Sequence, residues 1–224
     1  REDRLGPERA CAQGWISPRA MRNGIIVTVL FACLIGSALL FYAGWELIIV
    51  GLLCVLFAFL YTTGPYPLSY NGWGDVLVIV FFGFVPVGGT YYVQALTWTS
   101  DTTVASLICG LLIDTLLVVN NYRDREADAR SGKRTVIVRF GEKFGRYLYL
   151  MLGVAASLLC FWFFFEGHVF AALLPLLYLI PHVLTWRRMV QIHSGKKLNS
   201  ILGETSRNML LMGILLSIGF LIRH

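Results

Sequence analysis

The chain has 224 residues, of which 57% are hydrophobic and 14% charged, with a formal net charge of +6. Soluble domains carry about 25% charged residues, so this chain lacks the polar side chains to cover a water-exposed surface. A soluble globular domain, a disordered chain and a nucleic-acid-binding domain are excluded. The five cysteines, Cys11, Cys33, Cys54, Cys109 and Cys160, show no CxxC spacing, and four sit in apolar runs. They read as small membrane-core residues, not as a disulfide framework.

The polar stretch from Arg1 carries no signal-peptide pattern. Seven apolar stretches follow, at 23–44, 47–63, 76–100, 102–121, 147–165, 167–186 and about 201–222. Crossing a bilayer core takes roughly 20 apolar residues in a helix. The expected fold is therefore an all-α integral membrane protein with seven transmembrane helices, a single membrane domain over 1–224 with the lipid bilayer as its surround. Pro86, Gly88 and Gly89 interrupt the third stretch, and Asp114 is the one acid in the fourth. Trp15, Trp45, Trp98 and Trp186 lie near stretch ends, as interfacial anchors do.

The basic residues sort by loop. Five precede the first stretch (Arg1, Arg4, Arg9, Arg19, Arg22). Eight lie between the fourth and fifth, from Arg123 to Arg146, and five, from Arg187 to Arg207, lie between the sixth and seventh and in the polar first turns of the seventh. With seven crossings these groups share one side, and the short connectors of the other side carry none. The positive-inside rule makes that side cytoplasmic and puts His224 outside. Two segments on the basic side exceed plain connectors: 61–75, YTTGPYPLSYNGWGD, and 120–141, NNYRDREADARSGKRTVIVRFG.

The second segment carries the candidate chemistry. Asp124 and Asp128 stand four apart, so a helix puts both carboxylates on one face. Asn121 precedes them on the same stripe, and Asp114 lies seven residues further back. Two carboxylates and an amide oxygen are hard donors suited to Mg²⁺, which completes its shell with water and phosphate oxygens. Arg123, Lys133 and Arg134 stand nearby, which makes a site for a metal-bound diphosphate able to stabilise a departing pyrophosphate. Spacing alone equally describes a solvated helix face; the Asn-Asn before the acids and the GKRT after them favour the site. Asp114 is open between a functional acid within a span and a helix–helix hydrogen bond to Ser or Thr. The many aromatic side chains, Phe81, Phe82, Phe84, Tyr91, Tyr92 and Trp162 among them, are open between lipid-facing packing and shielding of a carbocation. The four histidines show no zinc-ligand spacing.

NNYRDREADARSGKRTVIVRFG closely resembles the second aspartate-rich motif of the intramembrane aromatic prenyltransferases. The double Asn with RD at 120–124, YTTGPYPLSYNGWGD followed by FFGFVPVGGTYYVQ, DRLGP at 3–7 and the C-terminal KLNSILGETSRNMLL resemble the naphthoate, menaquinone-forming branch. The likeness runs along nearly the whole chain. It implies the last seven of a nine-helix bundle, with two helices and most of a first aspartate-rich motif expected ahead of Arg1. It also implies Mg²⁺ on Asp124, Asp128 and Asn121, and diphosphate binding by Arg123, Lys133, Arg134 and Arg4. The acceptor side would be lined by Tyr61, Tyr70, Asn71 and Asp75. Where the hydroxybenzoate branch commonly has Lys four residues after the tyrosine, Tyr61 is followed by Pro65. The implied reaction joins a polyprenyl diphosphate to 1,4-dihydroxy-2-naphthoate, with loss of pyrophosphate and CO₂, at the cytoplasmic face of a bacterial inner membrane. Another acceptor (4-hydroxybenzoate, a chlorin or haem) and a multi-span transporter are the alternatives, although no repeated halves with paired broken helices are visible.

Overall fold

The computed structural model describes residues 5–222; Arg4, named above as a diphosphate ligand, and His224 lie outside them. The described residues are mostly helical and include no strand. Six helices are long and apolar enough to cross a membrane: α1 Pro18–Phe41, α3 Gly74–Ala95, α4 Ser100–Arg130, α5 Val136–Phe165, α6 Val169–Ile192 and α7 Leu198–Leu221. Between α1 and α3 runs a shorter apolar helix, α2 Glu46–Leu60. At 1.5 Å per residue its 15 residues span roughly 22 Å, short of a full bilayer core.

The helix ends carry the expected capping chemistry. Ser17 Oγ accepts from Ala20 N at 3.2 Å ahead of Pro18, Thr99 Oγ accepts from Thr102 N at 3.2 Å, and Thr135 Oγ accepts from Val138 N at 3.3 Å. Each satisfies an amide that the first turn leaves without a helical acceptor. Pro86 does not break α3. It sits within a π-helical stretch, Ile79–Gly88, whose wider turn suits a residue with no N–H to donate. The sequence reading ended the fourth span at 121 and placed the acids in a loop. In the structure α4 continues to Arg130, and only a tight turn separates it from α5. RDREADAR is made of good helix formers and is followed directly by Ser131-Gly132, which stops the helix. A second kink falls inside α5, where Gly141 at φ +87° breaks the helical path.

Two buried apolar clusters join α4, α5, α6 and α7. One contains Ile108, Leu112, Phe163, Tyr178 and Met212; the other, nearer the basic end, contains Val118, Tyr122, Ile137, Tyr149 and Met189. The α3–α4 crossing is closer still, because two glycines meet there. A side-chain carbon on Gly83 would lie 2.5 Å from Ser106 O and 2.8 Å from Gly110 Cα; one on Gly110 would lie 2.9 Å from Ile79 Cα. Small residues of this kind let membrane helices approach backbone to backbone. By contrast, no residue of α1 or α2 is buried within the chain. Phe31 and Leu34 are more than 60% exposed, which in water would be a large penalty and in a bilayer is none.

The loops that were assigned to one side do meet at one end. Glu142 of α5 pairs with Arg125 of α4 at 3.1 Å, with Arg146, and with His193 beyond α6 at 3.1 Å. The 61–75 loop and the start of α7 join the same end, through contacts described below. At the opposite end Trp162 Nε1 donates to Asp101 Oδ1 at 2.7 Å. Pro18, Met21 and Phe59 share one apolar groove, so α1 and α2 run antiparallel and α2 returns the chain to the basic end.

Candidate functional site

The site is built from the charged C-terminal end of α4, the turn after it, and the 61–75 loop. That loop folds on itself before it docks: Ser69 N donates to Tyr61 O at 3.0 Å, and Asn71 Nδ2 donates to Pro67 O at 2.8 Å. It then joins the α4–α5 turn through backbone. Arg134 N donates to Tyr70 O at 2.7 Å, and Arg139 Nη2 donates to Asn71 O at 2.8 Å. Gly72 makes this docking possible. Its φ is +82°, and a side-chain carbon there would lie 2.9 Å from Arg134 O, so any other residue would be strained and would push the two loops apart.

Where the loops meet they leave a small polar cavity of about 10 Å³, room for about one water, lined by Tyr61, Ser69, Asp75, Asn121, Lys133 and Thr135 among others. The cavity thus joins two of the residues expected on the acceptor side, Tyr61 and Asp75, to one expected metal ligand, Asn121, and one expected diphosphate ligand, Lys133. Tyr70 and Asn71 are not in its wall; they hold the loop in place through their backbone carbonyls. The Arg134 side chain is exposed. Burial pushes the Tyr61 phenol above its ordinary range, and the carboxylates of Asp75 and Asp114 push it the same way. Tyr61 is therefore a hydrogen-bond donor at neutral pH.

Asp124 and Asp128 lie one turn apart on α4, as their spacing predicts. The Arg123 guanidinium holds Asp124 bidentately, Nε to Oδ1 at 2.8 Å and Nη2 to Oδ2 at 2.7 Å. Lys133 Nζ donates to Asp128 Oδ2 at 3.2 Å. The Arg123 side chain is only 4% exposed, and two more of its five N–H bonds are used: Nη1 donates to Asn199 Oδ1 at 2.8 Å and Nη2 to Asn120 Oδ1 at 2.6 Å. Asn120 and Asn199 are partners that the sequence reading did not single out. The repeated asparagine at 120–121 was a signal for the first; the second, 76 residues from Arg123, lies in the KLNSILGETSRNMLL stretch that carries part of the resemblance but gave no sign of a role for it.

The donor set fits Mg²⁺ in one sense. Among the described residues no group of three or more His, Cys, Asp or Glu side chains forms a closed cage. Mg²⁺ commonly uses one or two carboxylates and takes its other ligands from water and substrate phosphate. Asp124 and Asp128 satisfy that need: both Asp124 oxygens and Asp128 Oδ2 accept one hydrogen bond each and keep a second lone pair.

Three buried polar atoms in the described residues have no partner: Asp75 Oδ1, Asp114 Oδ1 and Ser106 Oγ. All three belong to the α3–α4 crossing. Gly74 abuts Leu117, with a side-chain carbon on it placed 3.2 Å from Leu117 Cδ2, and Ile79 abuts Gly110. Asp75 and Asp114 fall between those two contacts. The floor under the cavity is therefore acidic, and Asp114 does not make the Ser or Thr hydrogen bond that was its alternative reading. His182, set aside as a metal ligand, is stacked between Tyr149 and Tyr178 and accepts or donates at 2.9 Å to Tyr178 Oη.

The whole arrangement is a paired-acid, basic, membrane-end site beside a polar cavity under a Gly/Pro/Tyr loop. The chain matches the UbiA prenyltransferase family over residues 1–217 and belongs to it. It is similar to the 1,4-dihydroxy-2-naphthoate octaprenyltransferase of Haemophilus influenzae, 36% identical over 235 residues, which cover 99% of this chain and 74% of the relative. It is similar to the enzyme of the same name from Escherichia coli, 38% identical over 164 residues, 70% of this chain and 53% of the relative. A third of that name, from Bacillus subtilis, is 25% identical over 228 residues, covering 98% and 71%. The match therefore spans about half the length of the E. coli relative. No solved structure matches the chain.

Proposed function

We propose that this protein transfers a polyprenyl group from polyprenyl diphosphate to 1,4-dihydroxy-2-naphthoate, releasing pyrophosphate and CO₂ and giving demethylmenaquinone in its hydroquinone form, demethylmenaquinol. The observation that carries the reading is the shared cavity: Tyr61 and Asp75 of the 61–75 loop and α3 face Asn121 and Lys133 of the acid-motif segment. A diphosphate site and an aromatic-acceptor site within one small volume are what group transfer between them requires. The naphthoate acceptor comes from the names of the relatives, and from Pro65 where the hydroxybenzoate branch commonly has Lys.

Asp124, Asp128 and Asn121 would hold Mg²⁺, which when bound neutralises charge on the departing diphosphate. Lys133 adds positive charge at the same place, with the exposed Arg134 beside it. Arg4 belongs to the proposal by resemblance alone. The allylic C–O bond breaks with its electron pair going to pyrophosphate. The ring carbon that bears the carboxylate forms the new C–C bond, and the electrons of the bond to CO₂ return to the ring. Tyr61 donates a hydrogen bond to an acceptor oxygen, and Asp75 orients the ring hydroxyls. The polyprenyl chain lies in the lipid, so the apolar α1 and α2 faces cost nothing. Residues 1–224 act as one membrane domain, with the basic end on the cytoplasmic side of a bacterial inner membrane. Membranes holding the protein, given a polyprenyl diphosphate with the naphthoate or with 4-hydroxybenzoate, test this. Pyrophosphate and CO₂ release with the naphthoate is the expected result; preferential turnover of the benzoate refutes the acceptor assignment.

A further inference from the structure

Asn199 stands at the start of α7, far from the acids in sequence, and its side chain is used twice. Its Oδ1 accepts from Arg123 Nη1 at 2.8 Å, and its Nδ2 donates to Leu5 O at 2.9 Å. The guanidinium it touches is buried and makes both hydrogen bonds to the Asp124 carboxylate. Arg123 has a planar fork whose N–H directions are fixed relative to one another. Fixing Nη1 and Nη2 from outside, through Asn199 and Asn120, therefore fixes the plane in which Asp124 is held. The N-terminal segment closes the other side: a side-chain carbon on Gly6 would lie 3.0 Å from Arg123 Nη2. With four of Arg123's five N–H bonds turned to protein acceptors, its main part at this site is to aim Asp124.

We infer that Asn199 is a positioning residue for the diphosphate site: it locks the Arg123 guanidinium, which in turn presets Asp124 for a metal-bound diphosphate. The inference rests on the diphosphate reading given above. It also makes the first turn of α7 and the Leu5–Gly6 segment part of the site's frame, although neither carries an acid of the motif. Arg123 stands one step behind the proposed metal ligand, where loss of a partner commonly costs about 10- to 100-fold in metal affinity, and Asn199 stands one step further back. Asn199 is exposed on its own account, so substituting it leaves the buried clusters untouched.

The test compares Asn199→Ala with Asn199→Asp in the full chain, using Mg²⁺ with inorganic pyrophosphate as the probe. Binding is read by isothermal titration, and turnover is read separately. Asn199→Ala should weaken Mg²⁺–pyrophosphate binding by up to about tenfold, the lower end of the loss for a direct partner, and leave the KM for the aromatic acceptor unchanged. Asn199→Asp keeps an oxygen for Arg123, loses the donor to Leu5 and adds a negative charge that the guanidinium offsets, so it should recover most of the binding. Wild-type binding in the Ala variant, or an Asp variant as weak as Ala, overturns the positioning role while leaving the diphosphate site standing. A wild-type chain that binds no Mg²⁺–pyrophosphate overturns the diphosphate reading itself, and this inference with it.

Discussion

Replacing Gly110 with alanine tests whether the α3–α4 crossing holds the site together. The new carbon would stand 2.9 Å from Ile79 Cα, 3.0 Å from Ile79 O and 3.1 Å from its Cγ2. Carbon pairs are comfortable at about 3.5–4.0 Å, so the crossing must open by roughly half an ångström or more. Two of those three neighbours are backbone and cannot swing aside. Overpacking of this kind costs about 1–3 kcal/mol. Alanine in a helix interior recovers about 1 kcal/mol over glycine, which leaves a net loss of about 0–2 kcal/mol. Gly213 of α7 is the control, because a side-chain carbon there meets nothing within 4 Å and the substitution keeps the propensity gain without the clash. In a chain of this size 1 kcal/mol moves the midpoint by about 2–4 °C. Thermal unfolding in detergent should therefore put Gly110→Ala several degrees below Gly213→Ala. Ile79 lies one turn from Asp75, so the same variant should raise the KM for the naphthoate more than that for polyprenyl diphosphate. Equal midpoints for the two alanine variants would refute the tight crossing, and with it the account of how Asp75 is set opposite Asp114.

Asp124→Asn and Asp128→Asn remove charge with little change of shape; each should lower turnover by orders of magnitude in a membrane assay while the protein still inserts, and near-full turnover in the double variant would end the metal-site reading. Asp75→Asn should raise the KM for the naphthoate and leave that for polyprenyl diphosphate nearly constant; equal shifts, or none, would return Asp75 to favouring the N-terminal end of α3 through the helix dipole. Ser131→Cys in a cysteine-free background should react with a membrane-impermeant reagent only from the cytoplasmic side, and reaction from outside would overturn the charge-based orientation.

Hydropathy and charge are properties of short stretches, and they were enough to find the spans and to group the loops that the structure gathers at one end. The pairing of Asp124 with Asp128 on one face was legible for the same reason: helical period is local. The 15-residue α2 shows where that reading thins, since it supports a crossing only together with its flanks. The end of α4 was misplaced because charge was taken as the end of the helix, when it is only the end of the apolar stretch. What the sequence could not reveal is which distant groups become neighbours. Asn199 reaches Arg123 across 76 residues, Asp75 and Asp114 come to share one crossing, and Tyr61 meets Lys133 in one cavity. Those choices are made where Gly83 and Gly110 let two backbones close up and where Gly72 lets a loop lie against Arg134. A contact of that kind depends on the shape of both surfaces at once, and no single stretch of chain contains both.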